Sequence, residues 1–380
     1  MTYSGYRVKV PGKLLIAGEY AVLEPKQKAV VIAVNRYITA TIEPRSENML
    51  LLPMLGYDRL TWENRGNTIQ FNLSDPRLKF IQHSIEVTKQ FLQERSIDLQ
   101  PFHLTITSEL NDPISGRKYG LGSSAAVVVA VVSAILKLHC HKNPPLEQVF
   151  KLSAIAHLKG QKSGSGIDIA ASTYGGWLMY SSFQPKWVLN ELKKRTKLTD
   201  LIEKPWPNLT ISPLIAPSCL TLCVGWTKEE ASTGSLLKKI ISFQSKRPED
   251  YERFLIESSH AVEKLRKSFI ENDCIGALSS LSENHLALKA LGEQAGIKIE
   301  TIKLKDLLSA AEKYGSCKSS GAGGGDCGIV FMKGDKHREA LYKAWRNADI
   351  EPLKLKTSEK GVSVTEYNCE PSLEEYLAIF

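Results

Sequence analysis

The sequence predicts an α+β protein organised in two domains. The chain has 380 residues, which is more than a single hydrophobic core usually contains. Strand-like and helix-like segments are mixed along it without the strict βαβ repetition of a doubly wound sheet. A stretch rich in proline, lysine and asparagine, 185–217, interrupts these segments and predicts an inter-domain connection. We therefore expect one domain at 1–216 and a second at 217–380.

The first half of the chain contains both strand and helix signals. A continuous apolar run passes into alternating Tyr37, Thr39 and Thr41, which predicts one long strand over 28–44. Apolar residues spaced by three or four predict helices, and alternation over shorter segments predicts strands. The further strands are expected at 7–10 and 101–109, and the helices at 78–95, over the apolar run 127–138, and at 146–161.

The second half repeats this mixture after the predicted connection. No internal repeat is visible, so a solenoid or propeller is excluded. The expected strands are 219–226, 327–332 and 362–367, and the expected helices are 229–241, 249–271, 273–291 and a short one at 371–380.

Composition indicates a globular protein of the cytoplasm. Hydrophobic residues make up 43% of the chain, which is ordinary for a packed domain. No apolar run approaches the ~20 residues that span a bilayer, and no signal-peptide pattern is seen. We expect a cytoplasmic location and no membrane partner. The seven cysteines are scattered and odd in number, which favours reduced thiols over a disulfide framework or a zinc site.

The charge balance is mildly basic. Lys and Arg number 49 against 41 Asp and Glu, a formal charge of +8. The basic residues are dispersed, and their densest cluster, 193–197, has no interleaved aromatic residues, so we expect no nucleic-acid partner. An excess of positive charge suits an enzyme that gathers anionic substrates.

The most informative segment is a glycine-rich turn that leads into the apolar run at 127–138. A helix start offers unpaired amides and about half a positive charge, so an anion is its natural occupant. Glycine and serine also begin ordinary buried helices, and that alternative stays open from this segment alone. The residues predicted to bind the phosphates of ATP are Gly120, Leu121, Gly122, Ser123, Ser124 and Ala125.

Two further segments strengthen the phosphate interpretation. The segment 11–23 places Lys13 and Glu19 among small residues after a strand, and 318–326 ends a glycine run with Asp326 before another strand. Neither these nor the first segment fits G-x-x-x-x-G-K-[ST], which excludes a Walker loop. The run 321–325 precedes a strand instead of joining a strand to a helix, which excludes a Rossmann fingerprint.

These three segments, in this order, resemble the three motifs of the GHMP small-molecule kinases, and the resemblance spans essentially the whole chain. It implies an N-terminal ribosomal-protein-like α+β domain and a C-terminal ferredoxin-like domain. The active site would lie in the cleft between them. It also implies an ATP-dependent phosphotransferase.

The resemblance assigns two catalytic residues. Lys13 matches the lysine of the first motif, which in the family lies near the γ-phosphate and the acceptor. Asp168, in 164–168, matches the aspartate treated as the catalytic base of mevalonate kinases. A surface lysine and a helix N-cap are the alternative interpretations of these two residues.

One position departs from the family pattern. Mevalonate kinases carry a magnesium-binding glutamate eleven residues before the aspartate, and His157 stands there in this chain. We expect Mg²⁺ to use Ser124, Asp168, water and the nucleotide phosphates, since it usually keeps several waters. His157 is expected to be packed or hydrogen-bonded.

Local matches at 35–37, 159–168 and 225–233 resemble the phosphomevalonate kinases of the bacterial type within this family. They imply 5-phosphomevalonate as the acceptor, with mevalonate kinase or another GHMP kinase as the alternative, and Asn35 as a nucleotide contact. Arg36, Lys9, His83 and Lys118 are unranked candidates for the acceptor phosphate. The sequence leaves open whether the protein forms a homodimer. The residues implied to contact substrate are Lys13, Glu19, Tyr20, Ser165, Gly166, Ser232, Thr233, Ser320, Gly321, Ala322 and Gly323.

Overall fold

The computed structural model describes residues 3–231 and 233–369, except for the side chains of Tyr3 and Thr233. The strands are β1 (Tyr3–Ala17), β2 (Lys28–Pro44), β3 (Met49–Leu52), β4 (Tyr57–Arg65), β5 (Thr68–Phe71), β6 (Phe102–Ser108), β7 (Trp177–Ser181), β8 (Thr210–Leu214), β9 (Leu220–Trp226), β10 (Ser316–Ser319), β11 (Cys327–Lys333), β12 (Glu351–Leu353) and β13 (Ser363–Cys369). The helices are α1 (Lys79–Glu94), α2 (Ser123–Cys140), α3 (Leu146–Gln161), α4 (Ile167–Tyr174), α5 (Pro185–Lys193), α6 (Leu198–Glu203), α7 (Thr233–Lys246), α8 (Pro248–Ile270), α9 (Cys274–Ala295), α10 (Ile302–Ala311) and α11 (Arg338–Asn347).

A large mixed sheet forms the first layer of the molecule. Over the described ranges its strands run in the order β13-β1-β2-β6-β3-β4-β5, and β7 and β8 branch from β2. The long strand β2 pairs with β7 through its first five residues and with β6 through its last seven. Only β3 and β6 run parallel within the described part of this sheet. The α+β class is confirmed.

Helix α2 is the centre of the first core. It packs on β1 and β2 and is flanked by α1, α3 and α4. Its 18 residues are apolar enough to match a membrane span by length and composition, but 67% of them are buried inside the protein. The apolar character of α2 therefore follows from its place between the sheet and three helices.

The second sheet has the order β10-β11-β9-β12, with all pairs antiparallel. Along the chain, β9 is followed by helices, then β10 and β11, then α11 and β12. This βαββαβ succession is the ferredoxin-like arrangement. Helices α9 and α10 pack on the sheet, and α8 pairs with α9. The ferredoxin-like second domain expected from the family resemblance is confirmed.

The predicted inter-domain connection over 185–217 is wrong for most of its length. It contains α5, α6 and β8, and β8 pairs with β7 in the first sheet. Val188, Leu198 and Leu201 are fully buried there, although the polar composition around them hid their spacing. Irregular chain here is confined to 194–197, 204–209 and 215–219, the last of which comes just before β9.

The last described strand returns to the first sheet. β13 pairs antiparallel with the first half of β1, from Tyr3 opposite Cys369 to Lys9 opposite Ser363. The segment after β12 therefore packs with the first domain, and the boundary at 216/217 stays a prediction. The short helix expected at 371–380 lies outside the described residues.

The expectation that all cysteines are reduced is wrong for two of them. Cys219 and Cys274 form a disulfide with their Cα atoms 6.2 Å apart. The start of β9 lies against the first turn of α9, and 55 residues of chain separate the two positions. No local sequence pattern reports such a pair. The cysteines with free thiols are Cys140, Cys223, Cys317, Cys327 and Cys369.

We predict that His139 makes the stability of the fold depend on pH. Its Nε2 accepts the Gln100 amide at 3.0 Å and its Nδ1 lies 2.8 Å from the Ile135 carbonyl, so the ring is neutral. Burial lowers the pKa of His139 below its usual 6.5. The unfolded chain therefore binds a proton more readily, and stability is lost as pH falls below 6.5, by at most about 1.4 kcal/mol per pH unit for one proton.

Urea unfolding at pH 7.5, 6.5 and 5.5 measures this effect. His139→Gln is expected to flatten the pH dependence of the free energy of unfolding. His141→Gln, at an exposed histidine beside it, is the control and should leave the dependence in place. An unchanged slope in His139→Gln contradicts the assignment.

Candidate active site

Lys13 lies beside a bulge in the first strand. The register between β1 and β2 shifts between Pro11 and Gly12, and such a bulge redirects the side chains next to it. The Lys13 amide donates to the Leu121 carbonyl at 2.9 Å, which fastens β1 to the glycine loop, 120–122. The lysine side chain is only 11% exposed. It is therefore largely buried beside the glycine loop and is not a solvated surface lysine.

The glycine loop ends where α2 begins. Gly122 is the N-cap residue, with a left-handed φ of 78°, and its carbonyl accepts the first intrahelical bond, from the Ala126 amide at 3.1 Å. The amides of Ser123, Ser124 and Ala125 precede that bond and point out of the helix start. Together with the helix dipole they form a site suited to an anion.

The two serines of the loop do not cap the helix. Gly122 takes the cap position, and α2 has no side-chain cap hydrogen bond. The Ser124 hydroxyl lies 3.4 Å from Nε2 of His157. Capping is thus excluded for Ser123 and Ser124, and the expected use of the Ser124 hydroxyl by Mg²⁺ stays a prediction.

His157 is a packed residue. Its ring stacks on Phe80, with centroids 4.8 Å apart and planes 15° apart. Burial lowers the pKa of His157, and the charge of Asp168 partly opposes that effect. A neutral, stacked imidazole beside Ser124 agrees with the expected structural role.

Asp168 faces Lys13 across the mouth of the glycine loop. Its Oδ2 lies 3.5 Å from Lys13 Nζ, and 39% of its side chain is exposed. Asp168 is the second residue of α4, whose N-cap is Gly166, so the alternative that Asp168 is itself the N-cap is excluded. Ser172 Oγ of the same helix donates to the Pro11 carbonyl at 2.9 Å. This bond holds α4, and with it Asp168, against β1.

Ser165 and Gly166 form the turn that aims α4. The Ser165 carbonyl accepts hydrogen bonds from Tyr180 Oη and from Ser182 Oγ, and its hydroxyl accepts the Ile167 amide at 3.4 Å. These contacts fix the turn from within the protein. The implied substrate contacts of Ser165 and Gly166 stay predictions.

Buried polar contacts join the first and third motifs. The Glu19 carboxylate pairs with the Lys318 ammonium, and both side chains are at most 1% exposed. Tyr20 Oη donates to the Ala322 carbonyl. Glu19 and Tyr20 were expected to touch substrate, but the structure directs both side chains into the junction between the motifs. Their observed contacts are structural because the partners are other groups of the protein, and substrate contacts of these two residues stay predictions.

The third motif is a hairpin loop between β10 and β11. Ser320 Oγ donates to the Leu15 carbonyl at 2.8 Å, so Ser320 also serves the junction. Gly323 packs against the Ile299 backbone, whereas Gly321 faces open space. Of these three residues, Gly321 is the one that the structure leaves accessible for the predicted substrate contact.

Three predicted site residues have no observed part in the cleft. Asn35 Oδ1 accepts the Lys356 amide at 2.7 Å, so this side chain satisfies a backbone group in the structure. Ser232 lies outside the described residues, as does the side chain of Thr233. Thr233 begins α7, four residues later than the helix expected at 229–241. Nucleotide and substrate contacts at these positions stay predictions.

Sequence reasoning missed Asp326 as a site residue. Its Cβ and carboxylate pack on Gly120, within 2.6 Å of the position that a Cβ on that glycine would take. Its Oδ1 accepts the Ala231 amide at 3.3 Å, and the charge of Lys13 acts on it. The signal in the sequence was a carboxylate directly after the glycine run. Without the fold, nothing placed it beside the first two motifs.

The candidates for the acceptor phosphate differ in their surroundings. The Arg36 guanidinium lies over the Tyr119 ring at 5.7 Å, next to the glycine loop. Nδ1 of His83 is held by Glu86 Oε2 at 2.8 Å. Lys9 lies over a tyrosine ring on β2. Arg36 is the one of these three whose ring contact adjoins the glycine loop.

Two family models match the chain. "GHMP kinases N terminal domain" matches residues 80–176, and "GHMP kinases C terminal" matches residues 277–351. A phosphomevalonate kinase of Streptomyces sp. (strain CL190) is 32% identical over 366 residues, which are 93% of this chain and 97% of the relative. The match covers both domains.

Solved structures agree with this relationship. The Lin0012 protein of Listeria innocua has 38% identity and a TM-score of 0.89 over 95% of this chain and 99% of that protein. The Streptococcus pneumoniae phosphomevalonate kinase in complex with phosphomevalonate and AMPPNP has 29% identity and a TM-score of 0.79, over 92% of this chain and 99% of that one.

We predict that Gly122→Ala weakens nucleotide binding at least about tenfold. A Cβ on Gly122 would lie 2.9 Å from Cγ of Lys13, so the lysine must move away from the helix start, and a left-handed φ costs an alanine of the order of 1 kcal/mol. Titration calorimetry with MgATP measures the change.

Gly116→Ala is the matched control. Gly116 has a similar φ of 70° but no atom within 4 Å of the added Cβ. It therefore carries the same backbone strain without the contact, and nucleotide affinity should stay near the wild-type value. Equal losses in both variants would show that strain, and not the position of Lys13, limits binding.

Proposed function

Since the chain belongs to the GHMP kinase family, we propose that it is a phosphomevalonate kinase. It transfers the γ-phosphoryl group of ATP to (R)-5-phosphomevalonate, giving 5-diphosphomevalonate and ADP in the mevalonate route to isoprenoids. The observation that carries this function is the place of the Lys13 ammonium. It lies at the start of α2, with its Nζ 3.5 Å from Oδ2 of Asp168. The likeness to named phosphomevalonate kinases over both domains supports the choice of acceptor.

The chemical problem of this reaction is charge. A phosphate monoester has a second pKa near 6 and is largely dianionic at neutral pH, so the acceptor oxygen needs little deprotonation. Bringing it to ATP sets two anions against each other, with a repulsion of about 4 kcal/mol per pair of unit charges at 4 Å and an effective dielectric constant of 20. The site must therefore supply positive charge at fixed positions.

The donor end of the cleft supplies backbone charge. The amides of Ser123, Ser124 and Ala125 and the α2 dipole are directed at the place where the triphosphate would bind. Because these groups are part of the helix, they need no reorganisation when the reaction occurs.

Lys13 supplies the mobile positive charge between donor and acceptor. Its backbone is fixed to Leu121, so only the side chain can adjust. An ammonium in this position offsets the repulsion between the transferred group and the acceptor phosphate, and it withdraws charge from the γ-phosphate oxygens as they approach the transition state.

Asp168 mainly orients Lys13. The ion pair directs the ammonium towards the mouth of the loop, and the first turn of α4 favours a negative carboxylate there. Since the acceptor is already ionised, proton acceptance by Asp168 contributes little. This separates the proposed reaction from that of family members that phosphorylate an alcohol.

The residues present fit Mg²⁺ bound mainly through the nucleotide. The described residues hold no group of three or more His, Cys, Asp and Glu that could bind a metal ion. One carboxylate, Asp168, and one hydroxyl, Ser124, suit a cation that keeps several waters and the substrate phosphates. Bound there, Mg²⁺ would neutralise phosphate charge. His157, in place of the family glutamate, is engaged with Phe80 and Ser124.

The acceptor would lie on the opposite side of Lys13, towards Ser165, Gly166, Gly321 and the start of α7. Gly321 supports this placement because it faces open space. Ser232 and Thr233 complete the proposed acceptor site. From composition we expect a cytoplasmic location and no nucleic-acid or membrane partner. The sequence leaves open whether the protein forms a homodimer.

The decisive assay for the proposed function is ADP release with three acceptors. We expect turnover with 5-phosphomevalonate and at least about a hundredfold lower kcat/KM with mevalonate, because a site built for a dianion leaves its cations unpaired with an alcohol. 5-Diphosphomevalonate should give neither ADP nor carbon dioxide. Preference for mevalonate would assign the alternative, mevalonate kinase, and carbon dioxide release would assign a decarboxylase.

The roles of Lys13 and Asp168 are separated by kinetics across pH 6.5–8.5. We expect Lys13→Met to lower kcat by about a thousandfold or more, since it removes the bridging charge. Asp168→Asn should retain measurable turnover above pH 8, where the acceptor is fully ionised. Complete loss of turnover in Asp168→Asn at that pH would mean that the carboxylate is essential and not only orienting.

A further inference from the structure

The carboxylate of Asp326 is a charged group of the third motif that the mechanism above does not use. Asp326 follows the glycine run of the third motif and adopts a left-handed φ of 56°. It is partly buried, and this burial raises the pKa of its carboxyl group. A partly buried carboxylate with a left-handed backbone persists only where the surrounding structure holds it.

Its backbone fastens the hairpin loop to the segment after β9. The Asp326 amide donates to the Glu229 carbonyl at 2.7 Å, and its carbonyl accepts the Thr227 amide at 2.9 Å. Its Oδ1 accepts the Ala231 amide at 3.3 Å. Asp326 thus contacts the segment 227–231, which leads into the proposed acceptor residues at the start of α7, through both its backbone and its carboxylate.

Its side chain touches the donor end of the cleft. The carboxylate packs directly on Gly120, where no side chain could fit between them. The ammonium groups of Lys13 and Lys118 favour its ionised form, and Glu230 opposes it. Lys13 therefore lies in the field of two carboxylates, Asp168 and Asp326, on different domains.

We propose that Asp326 is a positioning residue for phosphoryl transfer, whose negative charge holds the Lys13 ammonium at the mouth of the glycine loop. This rests on the proposed function. The same charge adjoins the loop that binds the triphosphate and repels it. Asp326 thus weakens nucleotide binding while it holds Lys13 and the segment 227–231 in the arrangement that transfer requires.

Asp326→Asn isolates the charge. Asparagine tolerates a left-handed backbone, and its Oδ1 can still accept the Ala231 amide, so the fold and the loop contact are retained. With one repulsive charge removed and Lys13 free to move towards the triphosphate, we expect the Kd for MgATP to fall about three- to tenfold. The kcat/KM for 5-phosphomevalonate should fall at least about tenfold.

The opposite direction of the two effects distinguishes positioning from a merely structural role. A loosened fold would weaken nucleotide binding, slow turnover and lower Tm together. The control is Asp335→Asn, which removes the same charge beyond the other end of β11 from a side chain that is 73% exposed. It should leave both constants and Tm near wild type. Should the asparagine variant not fold, Asp326→Gly keeps the φ and is expected to tighten MgATP binding in the same way.

Calorimetry with MgATP in the absence of an acceptor measures the effect of the Asp326 charge on nucleotide binding, and this measurement does not depend on the identity of the acceptor. Tighter MgATP binding together with slower transfer supports the proposal. Unchanged or weaker MgATP binding, or tighter binding with unchanged turnover, overturns it. If the wild-type enzyme fails to use 5-phosphomevalonate, the proposed function fails. The nucleotide measurement on Asp326→Asn still decides whether the charge acts on the loop, and the acceptor identified in its place then serves for the turnover measurement.

Discussion

The repulsion between two phosphate groups is the constraint on which the arrangement of this protein depends. Donor and acceptor both carry multiple negative charges, and the reaction needs them in contact. The chain meets this with groups fixed by backbone bonds: the amides at the start of α2, and Lys13, whose own amide is bonded to the glycine loop. An ammonium on a free loop would lose the advantage of a fixed position, because it would pay the entropy of ordering at each turnover.

Fixing those groups requires that three distant parts of the sequence meet with little freedom. The buried pair of Glu19 and Lys318 joins the first motif to the third. Ser172 ties α4 to the same strand that carries Lys13. A buried ion pair is poor evidence for stability, but removing either partner would leave an uncompensated charge, so the pair tolerates only one alignment of the motifs. Precision at Lys13 is thus built from contacts that never reach the substrate.

Much of the fold could be predicted from periodicity. The long strand β2 and helices α1 and α3 were expected close to their observed bounds, since each buries a regular apolar face. The three strands over 49–71 and the segment 185–217 were not, because short polar strands and lysine-rich amphipathic helices differ little from loops in composition. Long-range pairing is also invisible to local pattern, and the bond between Cys219 and Cys274 is an example.

The site residues show the same difference between what local sequence predicts and what long-range contacts decide. Lys13 and the glycine loop were predicted from their motifs, and the structure brings them together. Glu19 and Tyr20 were assigned to substrate because they lie in a motif, yet their partners come from the other end of the chain. Asp326 was passed over for the converse reason, since its contact with Gly120 exists only in the folded protein. Motifs locate a site in the sequence. Only tertiary contacts distinguish the residues that hold the site in place from those that can contact substrates.

The most direct measurement is a crystal structure of the protein with a non-hydrolysable ATP analogue and 5-phosphomevalonate. The account predicts phosphate oxygens within hydrogen-bonding distance of the amides at 123–125, and Lys13 Nζ between the γ-phosphate and the acceptor phosphate. A triphosphate bound away from the start of α2, or a Lys13 ammonium that contacts neither phosphate, would contradict it.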